Sequence, residues 1–353
     1  MPRLTAVRLR AAGALGQRVY EEQIVACAPA ALGGDWEVRE LGVRSLRSGL
    51  PGQARLPARL FYHSSGRTRE RAGRLLYRGL DVVHRMDLRL PPAEGEVLTI
   101  HDIIPWRFPD ETAPPPAAVA EARRAAAVIC PSRFSADEVS WLCGVRDPVV
   151  AHNGIDSAFF GATALDRRAR AELGIRGPYV LHVGGCSLRK NLGSLAAAWP
   201  VVRGKFPDTQ LVLAGPPHPR RDGLFAPLDG AVRTGGLPLA TLAGLVAGAA
   251  AVVVPSRYEG FGLPALEAMA AGVPVVAAAR SSLPEVCGNA AVLTEPTPAA
   301  IADGIVDVLH GGADVTALTA RGRARAARFT WQECAAVHAR VYQSVRDGRE
   351  DRK

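Results

Sequence analysis

Along the second half of the chain, short apolar runs alternate with longer stretches in which apolar residues recur at helical spacing. The apolar runs are predicted to be strands, and they are Tyr179–Val183, Gln210–Leu213, Ala251–Val254 and Val273–Ala277. Helices are predicted after them, from Asn191, over Leu239–Ala249 and over Leu263–Ala271. Because these strands lack polar alternation, they are typical of a parallel sheet that helices cover on both faces.

The first half shows the same alternation less regularly. Strands are predicted over Val97–Ile100, Ala126–Cys130 and Val149–Ala151, and helices over Arg18–Ala26, from about Ser135 and after Trp331. The chain has 353 residues, which is more than one hydrophobic core usually organises. The pattern therefore predicts an α/β protein with two Rossmann-like domains.

The predicted boundary between these domains lies near residue 160. The N-terminal domain is expected to span residues 1–160 and to be joined by the C-terminal helix over 331–353. The C-terminal domain is expected to span residues 161–330. The charge-rich segment Gly161–Arg176 shows little periodicity and is the predicted interdomain linker.

Composition narrows the class of protein and of partner. The net charge of +9 favours phosphate-bearing partners. Aromatic residues make up only 6% of the chain, and no RNA-binding or zinc-finger motif is present, so we expect no nucleic-acid partner. Six scattered cysteines without metal-site spacing indicate free thiols in a reducing cytoplasm. The chain contains neither an apolar run of about 18–20 residues nor a secretory signal pattern, so we expect a cytoplasmic protein.

The segment Ser256–Ala271 carries the most informative chemistry. Glu259 and Glu267 flank a glycine turn and a proline, directly after a predicted buried strand. Loops at the carboxyl edge of a parallel sheet are where such folds bind ligands, and a helix start there favours phosphate. Glu259 is predicted to lie at a reacting sugar, and Glu267, in the first turn of the helix, to bind two ribose hydroxyls. The alternative is a surface acid that complements the helix dipole, beside an ordinary glycine turn.

This segment resembles the hallmark of the family 4 retaining glycosyltransferases, a Glu followed by seven residues and a second Glu. Val183–Leu192 is similar to the family's donor-phosphate loop, and Thr99–Pro109 is similar to its N-terminal active-site segment. The resemblance implies the GT-B fold, in which two Rossmann-like domains face each other across a cleft. It also implies a nucleotide-diphosphate sugar donor, transfer with retention of configuration, and mannosyltransferase-like relatives.

The resemblance assigns further roles to residues of the phosphate loop and of the helix start. Lys190 is expected to stabilise the departing diphosphate, and the backbone of Phe261, Gly262 and Leu263 to add hydrogen bonds. The family's arginine five residues before the lysine is Gly185 here. Either Arg189 substitutes for that arginine, or the phosphate site has one cation fewer.

In the first half, the resemblance assigns His101 to the transferred sugar and Gly16 to the donor phosphate. His101 follows a predicted strand, which would place it at the carboxyl edge of its sheet. The alternative for His101 is a buried histidine whose hydrogen bonds are satisfied inside the domain. Gly16 belongs to a turn that matches the family sequence poorly, and Gly13 in the same turn is expected to be structural.

The segment Gly66–Leu80 predicts a basic helix. Arg67, Arg71, Arg74 and Arg78 recur at helical spacing, while Ala72, Leu75, Leu76 and Leu80 are predicted to lie on another face. One interpretation is peripheral docking to an anionic membrane or a phosphorylated lipid acceptor, and the other is a solvated face.

The sequence as a whole predicts a hexosyltransferase. The acceptor is left open among a small molecule, a glycan and a lipid-linked compound, and the donor nucleotide and sugar are also left open. No Asp-x-Asp motif is present, so neither a cofactor nor an obligatory metal is expected. The alternatives are an inactive GT-B scaffold or partner subunit, and a sugar-nucleotide epimerase or a phosphorylase on the same fold.

Overall fold

The chain divides after Gly154 and after Thr330 into two compact units. The computed structural model describes residues 1–10, 15–312 and 314–351. The N-terminal unit comprises Met1–Gly154 and Trp331–Lys353, and the C-terminal unit comprises Ile155–Thr330. Each unit is built on its own parallel sheet.

The sheet of the N-terminal unit has the strand order β3-β2-β1-β4-β5-β6-β7 within the described residues. Its strands are β1 (Arg3–Arg10), β2 (Glu37–Ser45), β3 (Ala54–Leu56), β4 (Val82–Arg85), β5 (Val97–Thr99), β6 (Ala127–Cys130) and β7 (Val149–Val150). Its helices are α1 (Leu15–Leu32), α2 (Ala58–Tyr62), α3 (Gly66–Leu76), α4 (Ile104–Arg107), α5 (Ala118–Arg124), α6 (Arg133–Cys143) and the C-terminal helix (Trp331–Glu350). The strand order reverses between β1 and β4, and in such sheets ligands bind at the carboxyl ends beside this reversal.

The sheet of the C-terminal unit has the order β10-β9-β8-β11-β12-β13. Its strands are β8 (Tyr179–Val183), β9 (Gln210–Ala214), β10 (Ala231–Gly235), β11 (Ala251–Val254), β12 (Val275–Ala278) and β13 (Val292–Thr294). Its helices are α7 (Arg167–Glu172), α8 (Leu192–Lys205), α9 (Pro219–Phe225), α10 (Leu239–Ala247), α11 (Leu263–Ala270), α12 (Leu283–Cys287), α13 (Pro298–His310) and α14 (Val315–Ala326).

The burial of β8 explains why the strands of this sheet are continuous apolar runs in the sequence. Tyr179 and Leu181 are buried in a core on one face of the sheet, and Val180 is buried in a second core on the other. Helices cover both faces, so no position along the strand is left for a solvated side chain. The predicted two-domain α/β architecture is therefore confirmed.

The predicted linker is wrong. Residues 161–176 belong to the C-terminal unit, which begins at Ile155 rather than at residue 161. The Leu165 N–H donates to the Gly244 carbonyl oxygen at 3.2 Å, and Asp166 caps α7 by accepting a hydrogen bond from the Ala169 N–H at 2.8 Å. The charges that suggested a linker lie on a short capped helix, because a surface helix needs only a narrow apolar side.

In the part of the chain that the structure describes, no helix is long and apolar enough to cross a membrane. All six cysteines are free thiols, and five of them are buried. Among the same residues, no group of three or more His, Cys, Asp or Glu side chains is arranged to hold a metal ion.

Candidate functional site

Three loops of the C-terminal unit meet at Glu259. They follow the neighbouring strands β8, β11 and β12, whose carboxyl ends lie at one edge of the parallel sheet. The loop after β8 contributes a short 3₁₀ turn, Leu188–Lys190, and the loop after β11 contributes Glu259 itself. The loop after β12 contributes Ser281 and Ser282. The sheet topology thus brings together residues that are about 70 positions apart in sequence.

The Glu259 carboxylate is held by two cations and one hydroxyl. Lys190 Nζ lies 2.6 Å from its Oε1, Ser256 Oγ lies 2.7 Å from the same atom, and Arg189 Nη1 lies 2.9 Å from its Oε2. Glu259 and Lys190 are both buried. An ionised carboxylate offers about four acceptor positions, so these three bonds leave one lone pair, on Oε2, unused.

The electrostatics of this cluster favour an ionised Glu259. Burial by itself would raise the pKa of the carboxyl, but the charges of Lys190 and then Arg189, with hydrogen bonds from Lys190 and Ser256, lower the pKa to about 2. The carboxylate therefore remains charged across the physiological range, and each cation already has a counter-charge before any ligand binds.

Asn191 fixes the turn that carries both cations. Its backbone is left-handed, with φ of +56°, a conformation that Asn tolerates better than most residues. Asn191 Nδ2 donates to the carbonyl oxygens of Pro255 at 3.0 Å and Pro296 at 2.9 Å. In addition, the Arg257 N–H donates to the Arg189 carbonyl oxygen at 2.8 Å. From the sequence alone, Asn191 was predicted only as a helix start; the signal for its role is an Asn directly after two cationic residues.

Two glycines allow the loop after β8 to pass close to the loop after β9. Gly184 and Gly215 have φ of +147° and +150°, and a Cβ on Gly215 would lie 2.1 Å from the Gly184 carbonyl oxygen. Gly185 is different, because its φ is not in the positive region and a Cβ there would meet nothing within 4 Å. The backbone at Gly185 would therefore accept a side chain.

The residues after Glu259 form the start of α11. The Phe261 side chain is buried in the core, where its ring lies 5.8 Å from the ring of Phe329. Gly262 caps α11 with φ of +105°, and a Cβ there would lie 2.8 Å from Leu283 Cδ2. Leu263 is the first helical residue and Pro264 follows it, as predicted.

Glu267 lies in the second turn of α11, not in the first turn as predicted, because it is the fifth residue of a helix that begins at Leu263. The side chain is half-buried. Burial and then the neighbouring charge of Asp156 raise the pKa of its carboxyl to about 7, against the opposing effect of Lys190. A carboxyl that titrates near neutrality makes any hydrogen bond to it depend on pH.

A cavity of about 290 Å³ opens at the carboxyl ends of β9 and β10. It is lined by Gly215, Pro217, Arg221, Asp222, Arg233, Thr234 and Gly235. Arg221 is buried and donates to the carbonyl oxygens of Gly184 and, at 3.2 Å, Pro216. Arg221 therefore connects the lining of this cavity to the loop after β8, which carries Lys190.

His101 and Gly16 belong to the N-terminal unit. The His101 ring makes an edge-on contact with the Tyr20 ring, with centroids 4.6 Å apart. Its Nε2 atom is buried and has no hydrogen-bond partner among the described residues. Burial lowers the pKa of His101 to about 4, although Asp87 opposes this shift, so the imidazole is neutral near pH 7. Gly16 is exposed in the first turn of α1, and Gly13 lies outside the described residues.

A buried hydrogen-bond network lies behind His101. Tyr20 Oη lies 2.7 Å from both Thr99 Oγ1 and His338 Nε2, and His84 Nε2 lies 2.8 Å from the same Thr99 oxygen. Because His338 belongs to the C-terminal helix, that helix is joined to α1 and to β5 through polar as well as apolar contacts.

The basic face of α3 is exposed. Arg67, Arg71 and Arg74 of α3 lie at the surface, and so does Arg78, but α3 ends at Leu76 and not at Leu80 as predicted, so Arg78 lies in the turn that follows the helix. Leu75 was predicted to lie on another face with Leu76 and Leu80, but it is 78% exposed, because it stands one helical turn after Arg71 on the same side of α3. The charges of α3 do not all face solvent, since Arg69 is fully buried and its Nε lies 2.5 Å from Glu121 Oε1.

Residues 177–311 match the family described as Glycosyl transferases group 1. Over 175 residues the chain is 36% identical to O-antigen chain mannosyltransferase B of Escherichia coli, covering 46% of this chain and 45% of that protein. Over 227 residues it is 34% identical to glycogen synthase of Mycobacterium tuberculosis, covering 60% of this chain and 52% of that protein. The matches thus span about half the length of these relatives.

Solved structures resemble the chain over nearly its full length. Sucrose-phosphate synthase from Thermosynechococcus elongatus superposes with a TM-score of 0.77 at 22% identity, covering 98% of this chain and 99% of that one. Anabaena HepE in complex with UDP and glucose superposes with a TM-score of 0.74 at 17% identity, covering 98% and 100%. The predicted fold is confirmed: the chain has the GT-B fold.

Proposed function

We propose that this GT-B chain, whose residues 177–311 match the group 1 glycosyltransferases, is itself a glycosyltransferase that moves a hexosyl group from a nucleotide-diphosphate sugar to an acceptor. The observation that carries the proposal is the buried Glu259 carboxylate between Lys190 and Arg189 at the carboxyl edge of the C-terminal sheet. Two cations beside one carboxylate suit a diphosphate next to a hydroxyl-rich sugar.

Each residue of the cluster has a distinct role in this proposal. The donor's diphosphate binds against Lys190 and Arg189, which stabilise the negative charge that develops as the bond to the sugar breaks. Glu259 accepts a hydrogen bond from a sugar hydroxyl through the remaining lone pair of Oε2 and orients the ring. In the N-terminal domain, neutral His101 serves as a hydrogen-bonding group for the transferred sugar, and the acceptor binds that domain. Retention of configuration follows from the family resemblance.

The nucleoside is proposed to occupy the cavity at the ends of β9 and β10. Arg221 joins that cavity to Gly184, so a nucleotide lying there would reach the phosphate loop through its own diphosphate. HepE binds UDP and UDP-glucose, while O-antigen chain mannosyltransferase B transfers mannose. The donor is therefore to be sought among UDP-hexoses and GDP-mannose.

A binding and hydrolysis screen tests the proposal. The purified chain is incubated with UDP-glucose, GDP-mannose and dTDP-glucose, and release of nucleoside diphosphate is measured. We expect one donor to bind best and to be hydrolysed slowly without acceptor. Binding without any hydrolysis or transfer would favour the inactive scaffold, and interconversion of the bound sugar would favour the epimerase.

Nucleotide affinity should depend on pH through Glu267. If Glu267 binds the ribose hydroxyls, it does so best as a carboxylate, and its pKa in the free protein is about 7. Below that pH the free protein must release a proton on binding, so affinity should fall up to about tenfold per pH unit. The Glu267→Gln variant should bind more weakly at pH 8 and show a flat profile. Calorimetry with the intact sugar nucleotide at several pH values measures the affinity of both proteins. If the affinity of the wild-type protein does not change with pH, Glu267 does not bind the ribose.

For the acceptor side, we propose that the exposed basic face of α3 docks to an anionic membrane. Arg67, Arg71 and Arg74 of α3, with Arg78 in the turn after it, supply the charge, and Leu75 provides an apolar side chain that would enter the interface. Exposed apolar and basic residues on one helix face are the combination that such surfaces require.

Changing these four arginines to glutamine should abolish sedimentation with acidic vesicles at low salt. Wild-type binding should weaken as ionic strength rises, because screening shortens the reach of the charges to about 8 Å at physiological salt. Activity on a soluble acceptor analogue should be unchanged. The control variant changes the exposed residues Arg167, Arg168, Arg176 and Arg321 to glutamine, which removes the same charge from the other unit. Equal losses in both variants would contradict a specific surface.

A further inference from the structure

We infer that Ser281 is a positioning residue for Glu259, held in an unfavourable backbone conformation because its hydroxyl fixes the Glu259 backbone. Ser281 belongs to the loop between β12 and α12 and is half-buried beside the cluster. The inference rests on the proposed role of Glu259 in binding the donor sugar.

The backbone of Ser281 is left-handed, with φ of +53°. Only two other non-glycine residues of the described chain, Asp147 and Asn191, have positive φ. Asp and Asn tolerate this region because their side chains can bond locally to the backbone, whereas Ser has no such preference. Glycine would adopt the conformation without strain, so the serine must be retained for its side chain.

The hydroxyl of Ser281 both accepts and donates a hydrogen bond. Its Oγ accepts from the Glu259 N–H at 2.9 Å and donates to the carbonyl oxygen of Arg280 at 2.7 Å. The second bond orients the hydroxyl so that a lone pair faces Glu259. The strained residue is thus connected directly to the backbone of the residue that carries the proposed chemistry.

Ser282 also hydrogen-bonds the loop that carries Glu259. Its Oγ lies 2.9 Å from the Glu259 carbonyl oxygen and 2.8 Å from that of Phe261, so one buried hydroxyl serves both acceptors. Both backbone polar groups of Glu259 are therefore bonded to the loop after β12, while its carboxylate is bonded to the loop after β8. Loss of the Ser281 hydroxyl would free the N–H side of Glu259.

This arrangement predicts an effect on turnover rather than on nucleotide binding. Glu259 meets the reacting sugar in the proposed mechanism, whereas the nucleoside and ribose contacts lie elsewhere. A small displacement of a catalytic group lowers the rate steeply, since a shift of about 1 Å can cost about a hundredfold.

The test compares Ser281→Gly with Ser281→Ala. Both variants remove the hydroxyl, but only glycine also relieves the left-handed backbone. We expect kcat for hydrolysis of the better donor among UDP-glucose and GDP-mannose to fall about tenfold to a hundredfold in both. The Kd for the matching nucleoside diphosphate should be unchanged. The melting temperature of the C-terminal unit should be higher for Ser281→Gly than for Ser281→Ala.

Asp147→Gly is the matched control, because it relieves the same conformation at an exposed residue of the other unit. It should leave kcat unchanged. Wild-type kcat in Ser281→Gly would overturn the inference, as would a loss of nucleotide affinity equal to the loss of kcat, which would indicate general disruption of the loop. If the wild-type chain turns over no donor, the proposed function itself fails. The inference about Ser281 fails instead when the wild type is active and Ser281→Gly has the same kcat.

Discussion

Replacing Glu259 with glutamine should lower kcat by at least about two to three orders of magnitude, as the loss of a preorganised charged group does. The side chain keeps its size, but the charge that orients the sugar is lost. The amide nitrogen would also face one of the two cations, where a carboxylate oxygen now accepts a hydrogen bond.

The same change should leave nucleoside diphosphate affinity unchanged or make it tighter. Lys190 and Arg189 now share the Glu259 charge, and in the variant both are available to the phosphates. The ligand-free protein should become less stable, because removing one partner of a buried ion pair typically costs about 3–5 kcal/mol. Added nucleoside diphosphate should restore much of that stability by supplying negative charge.

Turnover, calorimetric Kd and thermal unfolding with and without nucleotide separate these effects. The control is Glu295→Gln, which removes the carboxylate of an exposed ion pair with Arg280 in the same unit. It should leave kcat nearly unchanged. Near-wild-type turnover of a folded Glu259→Gln variant would contradict the assignment of Glu259 and, with it, the proposed site.

Replacing Lys190 with alanine should lower kcat by about two to three orders of magnitude, because the departing diphosphate loses a buried cation. The loss should be larger for the reaction than for nucleotide binding, since charge on the leaving group increases as the bond breaks. Steady-state kinetics with a saturating donor, together with calorimetric Kd values, measure the two losses separately.

The double variant Lys190→Ala, Arg189→Ala decides whether Arg189 substitutes for the arginine that the family pattern has at Gly185. If it does, the double variant should be slower than Lys190→Ala alone. A rescue experiment is also available, because the backbone at Gly185 accepts a side chain and a Cβ there meets nothing within 4 Å. Adding Gly185→Arg to Arg189→Ala should recover part of the lost turnover. A double variant no slower than Lys190→Ala would show that Arg189 serves only to hold Glu259.

Local pattern was enough to predict part of the C-terminal unit, namely β8, β9, β11 and β12 with α8, α10 and α11, but not its edge strands β10 and β13 or its remaining helices. Strand β8 was predicted over its observed residues, and α11 was predicted to within one residue. Strand β8 is buried on both faces, and α11 begins at a glycine followed closely by a proline. Their residue types alone therefore indicate a strand and a helix start. The N-terminal strand β1, Arg3–Arg10, was missed because arginines interrupt its apolar residues. Those charges are accommodated only through partners distant in sequence, such as Glu21 and Glu40 for Arg8.

The candidate site shows the same division between local and tertiary information. The spacing around a glycine turn after a buried strand singled out Glu259, and the resemblance of Val183–Leu192 to the family's donor-phosphate loop singled out Lys190. The ion pairs between them, and the low pKa of Glu259, depend on β8 and β11 being neighbours in the sheet. Ser256, Ser281 and Ser282 could not be predicted, since serine is common in loops and only its hydrogen-bond partners distinguish it. The sequence therefore determined which residues carry the charges, and the order of the strands decided which of them meet.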